Sequence, residues 1–139
     1  MSSETALADT NLFIRYLEQD HAEHSQAARA LLERVRSGEL TLVVTPMVMA
    51  ELVWTLTSFY KRDKKTVSAW LLAICNTPGI EVEERGRVIQ ALVWFEEKNT
   101  DFIDAYNAAW LLEQDFEKIV TFDVKHFQRF GHVVMEVPS

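Results

Sequence analysis

The chain has 139 residues, 48% hydrophobic and 25% charged, with 4 Gly, 3 Pro and a formal net charge of −7. This is the composition of one ordinary globular domain, residues 1–139, able to bury roughly 68–70% of its unfolded surface; it excludes disordered and low-complexity classes. No apolar run approaches the ~18 residues of a membrane span, the start M-S-S-E-T-A-L-A-D has neither basic region nor apolar core, and the acidic balance excludes a broad basic face for duplex nucleic acid.

A cytoplasmic protein is expected. Residues 5–8 are short and modestly apolar and read as a strand, followed by the turn Asp9-Thr10-Asn11 and a helix carrying Leu12, Phe13, Ile14, Tyr16 and Leu17. Thr10 is positioned to cap that helix. A second helix over 22–35 turns Ala27, Ala30, Leu31 and Val35 inward and stops before Ser37-Gly38. A strand at 40–44 leads to Thr45-Pro46, a cap followed by proline at the first helical position, and an apolar helix reaching Leu56. Glu51 lies one turn into it among apolar neighbours, on the solvated face or deliberately buried.

Asp63 caps a helix that continues to Cys75, the only cysteine, whose apolar surroundings mark it as a core residue of a reducing compartment rather than a nucleophile. The turn Asn76-Thr77-Pro78-Gly79 opens a strand at 80–82, and a helix over 86–97 groups Val88, Ala91, Leu92 and Phe95. Next, Asp101, Asp104, Ala105, Ala108, Ala109 and Leu112 share one helical face. Asp101 reads as an N-cap. Asp104 is either a weak capping-box acid or a half-buried carboxylate that needs a positive partner. A β-branched strand at 119–121 ends just before Asp123, and a short helix over 125–130 precedes a last strand at 132–137.

Strands alternating with helices predict an α/β domain with five short strands in one mostly parallel sheet, helices on both faces. In that architecture Asp9, Glu51, Asp104 and Asp123 can converge at one sheet edge, where ligands of α/β proteins bind. A receiver-like signalling domain also puts Asp and Mg²⁺ at strand ends, but it wants adjacent acids after the first strand, and here Asp9 is followed by Thr10-Asn11.

Four segments, D-T-N-L-F-I-R-Y-L at 9–17, P-M-V-M-A-E-L-V-W at 46–54, D-F-I-D-A-Y-N-A-A at 101–109 and V-T-F-D-V-K-H-F at 120–127, resemble the PIN-domain ribonucleases, particularly the VapC-type toxins. The resemblance spans essentially the whole chain. It implies an αβα sandwich and metal-site acids at Asp9, Glu51, Asp104 and Asp123, supported by Thr10, Asn11 and Thr121, with Asp101 an accessory acid at the rim. It further implies an RNA-hydrolysing enzyme, frequent homodimers, and inhibition by a small antitoxin protein. Housekeeping nucleases and inactive PIN domains used for binding are the alternatives. Tyr106 and Asn107 depart from the apolar residues usual in the family.

Clustered carboxylates suit Mg²⁺ or Mn²⁺, and zinc is a poor candidate because the expected site offers neither His nor Cys. His21 and His24 read as surface residues. Arg15, Lys61 and Arg62 are candidates for holding RNA phosphates, with solvated helix charge the equal alternative. A small acidic domain suits single-stranded RNA or exposed loops. Trp54, Trp70, Trp94 and Trp110 with Tyr106 are more aromatic surface than one small core readily hides, which favours a dimer.

Overall fold

The computed structural model describes residues 4–139; Met1–Ser3, the first part of the stretch read for a targeting signal, lie outside the described residues. The chain divides into a first unit ending at Arg85 and a second, Gly86–Ser139. The first contains β1 (Glu4–Leu7), α1 (Thr10–Glu18), α2 (Ala22–Arg36), β2 (Leu40–Val44), α3 (Pro46–Trp54), α4 (Lys64–Cys75) and β3 (Ile80–Val82). Between α3 and α4 the chain runs on as a π-helical turn, Thr55–Phe59, where an α-helix to Leu56 was expected. The second unit contains α5 (Arg85–Glu97, its first residue still in the first unit), α6 (Phe102–Leu112), β4 (Lys118–Val120), α7 (Val124–Phe127) and β5 (Val134–Glu136).

All five expected strands form, yet not as one sheet. In the first unit β1, β2 and β3 make a parallel sheet in that order, with Leu42 of β2 opposite Ala6 on one side and Ile80 on the other. In the second, β4 and β5 pair in parallel, Ile119 opposite Met135. The five-stranded sheet is therefore corrected to sheets of three and two. The physical reason is that β-branched, alternating residues specify an extended backbone and its two faces, while the choice of edge partner depends on how the intervening helices pack.

Local chemistry accounts for the element ends. Thr45 Oγ1 accepts the Val48 N–H at 3.3 Å and Asp63 Oδ1 accepts the Thr66 N–H at 2.8 Å, satisfying donors that a helix start leaves open. Helix α2 closes on Gly38 at φ 85°, with Gly38 N–H donating to Val35 O at 3.1 Å and Glu39 N–H to Arg34 O at 2.9 Å, the paired bonds of a Schellman end. The core of the first unit includes Phe13, Leu42, Val44, Met49, Leu52, Leu56, Val67 and Leu71; Cys75 is buried with it, and burial pushes its thiol up to about 11. In the second unit Val88, Leu92, Phe95, Phe102, Ala105, Ala108 and Phe130 are buried. Trp94 stacks on His132 there, and Trp70 lies under Arg62 in the first unit, whereas Trp54 and Trp110 remain exposed. Among the described residues no helix is long and apolar enough to cross a membrane.

One glycine is fixed by two constraints at once. Gly79 sits at φ 89°, and a Cβ there would lie 2.8 Å from Val35 Cγ1 and 3.0 Å from the Val35 carbonyl oxygen, whereas one on Gly38 would meet nothing. Gly79→Ala should therefore cost more than about 1 kcal/mol, and clearly more than Gly38→Ala, which meets only the backbone penalty. Urea unfolding of both variants checks this through a lower midpoint at unchanged slope.

Candidate metal centre

Helix α6 begins at an extended Asp101 (φ −66°, ψ 144°), whose side chain makes no capping bond although it holds the N-cap position. Asp104 follows as the third helical residue, half-buried at the boundary between exposed Ile103 and buried Ala105, Ala108 and Ala109. The stripe continues through Leu111 rather than Leu112, which is exposed. At about 100° per residue, position i+7 returns to within about 20° of Asp104, while i+8 is about 80° away.

The second carboxylate is positioned by a turn. After β4, Thr121 N–H donates to Glu136 O at 3.0 Å, and the Thr121 hydroxyl oxygen accepts the Asp123 N–H at 2.8 Å. Asp123 stands at the N-cap position of α7 without capping it by side chain. Its Oδ2 lies instead 2.6 Å from Nδ1 of His126, one turn on. An oxygen of Asp104, an oxygen of Asp123 and a ring nitrogen of His126 all lie within 4.8 Å of one another.

The electrostatics push the two acids apart. Partial burial raises the Asp104 pKa, the charges of Asp101 and Asp123 raise it further, and His126 opposes them. Asp123 shifts the other way, lowered chiefly by its hydrogen bond to His126. The opposite shifts distinguish an acid held in a costly charged form from one stabilised in it.

The remaining expected residues belong to the first unit. Asp9 is the exposed N-cap of α1, again without a side-chain capping bond, and Asn11 is exposed on the first turn. Thr10 does not cap: it is the first helical residue, buried, and its hydroxyl donates to Glu51 Oε1. Glu51 itself is exposed, which decides between its two readings. The arginines expected to hold phosphates are occupied. Arg62 makes a two-pronged pair with Glu18 at 2.9 and 2.6 Å, and Arg15 pairs with Asp20 at 3.1 Å, while Tyr60 donates to the same Asp20 at 2.7 Å.

The presence of His126 corrects the expectation of a site without histidine. The available signal is D-x-x-H over residues 123–126, a spacing that aligns two side chains on one helical turn. Two carboxylates side by side fit a divalent cation, and their oxygens suit Mg²⁺ and Mn²⁺.

A model of the PIN domain matches residues 6–133. The chain belongs to the PIN domain family. PIN domains are generally nucleases and typically bind divalent metals. Comparison with curated proteins gave no match.

The pKa directions give this PIN domain a pH signature in EDTA. A raised folded-state pKa for Asp104 means the unfolded chain holds fewer protons, so this group's contribution to stability falls as pH rises from about 3.9 through the folded value, then levels off. Asp104→Asn should gain stability relative to wild type across that window. Asp123 has the opposite sign: its contribution is present above about 3.9 and is lost as pH falls through the lowered value. Thermal melts of wild type and the two Asn variants from pH 3 to 7 check both directions.

Proposed function

We propose that this PIN domain is a Mg²⁺- or Mn²⁺-dependent endoribonuclease and the toxin of a VapC-type toxin–antitoxin pair. The observation that carries the reading is the approach of Asp104 and Asp123, from separate elements, to within 4.8 Å, with Asp104 held in a costly charged form. A partly desolvated carboxylate with a second one beside it is unfavourable, and a cation would relieve it.

Asp104 and Asp123 would hold the cation, which when bound would supply Lewis-acid polarisation of the phosphodiester and a lowered pKa for the attacking water. Asp101 adds negative charge at the rim. Thr121 keeps the backbone of Asp123 in place through its hydroxyl. Asp9, Glu51, Thr10 and Asn11 are assigned to the same reaction by the motifs they occupy; in the first unit, the Thr10 bond fixes the Glu51 carboxylate. Water attacks phosphorus, the bond to the leaving oxygen breaks, and no side chain becomes covalently attached. Single-stranded RNA is the substrate class, because unstacked bases expose edges that a small domain can reach. The protein acts in the cytoplasm, where a small antitoxin restrains it. It pairs with a second copy through an apolar surface to which Met47, Trp54 and Phe59 contribute, at 79%, 66% and 71% exposed.

Purified protein should cleave RNA with Mn²⁺ or Mg²⁺, and EDTA or Asp104→Asn should reduce cleavage to background. Cleavage by Asp104→Asn equal to wild type would point to a contaminating nuclease and sink the assignment. Mn²⁺ at ~100 times its dissociation constant should stabilise the wild type by roughly 2.7 kcal/mol.

Sedimentation at micromolar concentration should give a dimer that Trp54→Ala shifts to monomer. A wild-type monomer would rule out the second copy.

A further inference from the structure

Resting on the metal-dependent reading above, we propose that His126 is the positioning residue of the centre: its Nδ1–H donates to Asp123 Oδ2, fixes the rotation of that carboxylate, and itself stays outside the ligand set.

One distance separates a ligand from a support. Two atoms on neighbouring vertices of an octahedral ion at 2.0–2.1 Å lie about 2.8–3.0 Å from each other. His126 Nδ1 and Asp123 Oδ2 are 2.6 Å apart, which is a charge-assisted hydrogen bond and too close for both atoms to ligate one ion. A carboxylate only accepts, so the shared proton sits on the imidazole. The two ring nitrogens flank Cε1 and their outward directions diverge widely, so a ring that aims Nδ1 at Asp123 does not aim Nε2 at it.

The surroundings are those of a fixed support. Thr121 holds the backbone of Asp123 by the 2.8 Å bond to its N–H, which leaves the carboxylate rotation as the freedom still to be restrained. Helix α7 places His126 three residues on, and the adjacent Phe127, 4% exposed, anchors that turn. Asp123 makes no capping bond that would otherwise hold its side chain. Backbone and side chain of one ligand are thus fixed by two different residues, the usual division of labour around a metal-binding carboxylate.

The test uses the full chain, no RNA, and Mn²⁺ titrated by calorimetry. His126→Phe keeps the ring and removes the donor, and should weaken Mn²⁺ binding about 10–100-fold. His126→Asn, whose amide N–H can replace Nδ1–H, should return affinity to within a few-fold of wild type. Equal loss in both variants would make the imidazole a ligand and overturn the positioning role, as would unchanged affinity in His126→Phe. Wild type that binds no Mn²⁺ would instead end the metal reading itself, so the two failures are distinct. Metal-free melting temperatures verify that the variants fold; where the phenyl ring disturbs α7, His126→Ala against His126→Asn reads the same difference.

Discussion

The partly buried charge of Asp104, beside the further carboxylates of Asp101 and Asp123, is the constraint on which the candidate site in the second unit depends. Two carboxylates close together, one of them partly desolvated, raise the free energy of the charged fold unless something positive lies between or beside them. The N-terminus of α6 gives Asp104 some relief, but such dipole effects contribute only about 0.3–1 kcal/mol at exposed sites and are screened by salt. Burial and like charge raise the Asp104 pKa, with only His126 opposing them. His126 relieves Asp123 more directly, through a hydrogen bond. What remains uncompensated is concentrated on Asp104, the acid closest to the apolar stripe.

An arrangement under such repulsion persists only when the elements carrying it are held firmly, and α6 is held along its length. Arg87 of α5 donates through two nitrogens to the Glu113 carboxylate at 2.7 and 2.9 Å, and to the Tyr106 hydroxyl at 3.0 Å. Tyr106 and Glu113 are seven residues apart, two turns on one face, so a single guanidinium spans the helix that presents Asp104. The planar, always-charged fork suits this bidentate duty in a way lysine would not. The pair also holds Arg87 strongly protonated, chiefly through Glu113. Tyr106 therefore has a definite structural task.

Much of this is legible in the amino-acid sequence, because the signals are local. Thr45-Pro46, Asp63 and Ser37-Gly38 mark helix ends through capping chemistry that involves only neighbouring residues. Asp104 and Asp123 are legible as a pair because each sits at an element end. What the sequence hides depends on distant packing. The partner of a strand edge is chosen by the crossovers, so one sheet of five cannot be told from sheets of three and two. Thr10 has the residue type of a cap, and only the approach of α3 to α1 gives its hydroxyl to Glu51. Leu111 and Leu112 differ by one step on the helical wheel, a resolution that apolar pattern alone lacks. His126 is hidden for a subtler reason: Asp123 has the residue type of a cap, and only a side chain that declines to cap is available to the histidine.

The fate of the arginines bears on how an acidic domain could grip a polyanion. With a net charge of −7, phosphate binding by a broad field is unfavourable, and local cations must supply the attraction. Arg62 and Arg87 are committed to two-pronged internal pairs, and Arg15 to Asp20. These pairs brace helices and subtract from the charge open to a ligand. On the proposed nuclease reading, a divalent cation held by Asp104 and Asp123 would serve two purposes at once, activation of the reacting groups and local positive charge for the scissile phosphate. Substrate binding and metal binding would on that reading be coupled, each strengthening the other, because carboxylates that by themselves would repel a polyanion would hold the cation that attracts it.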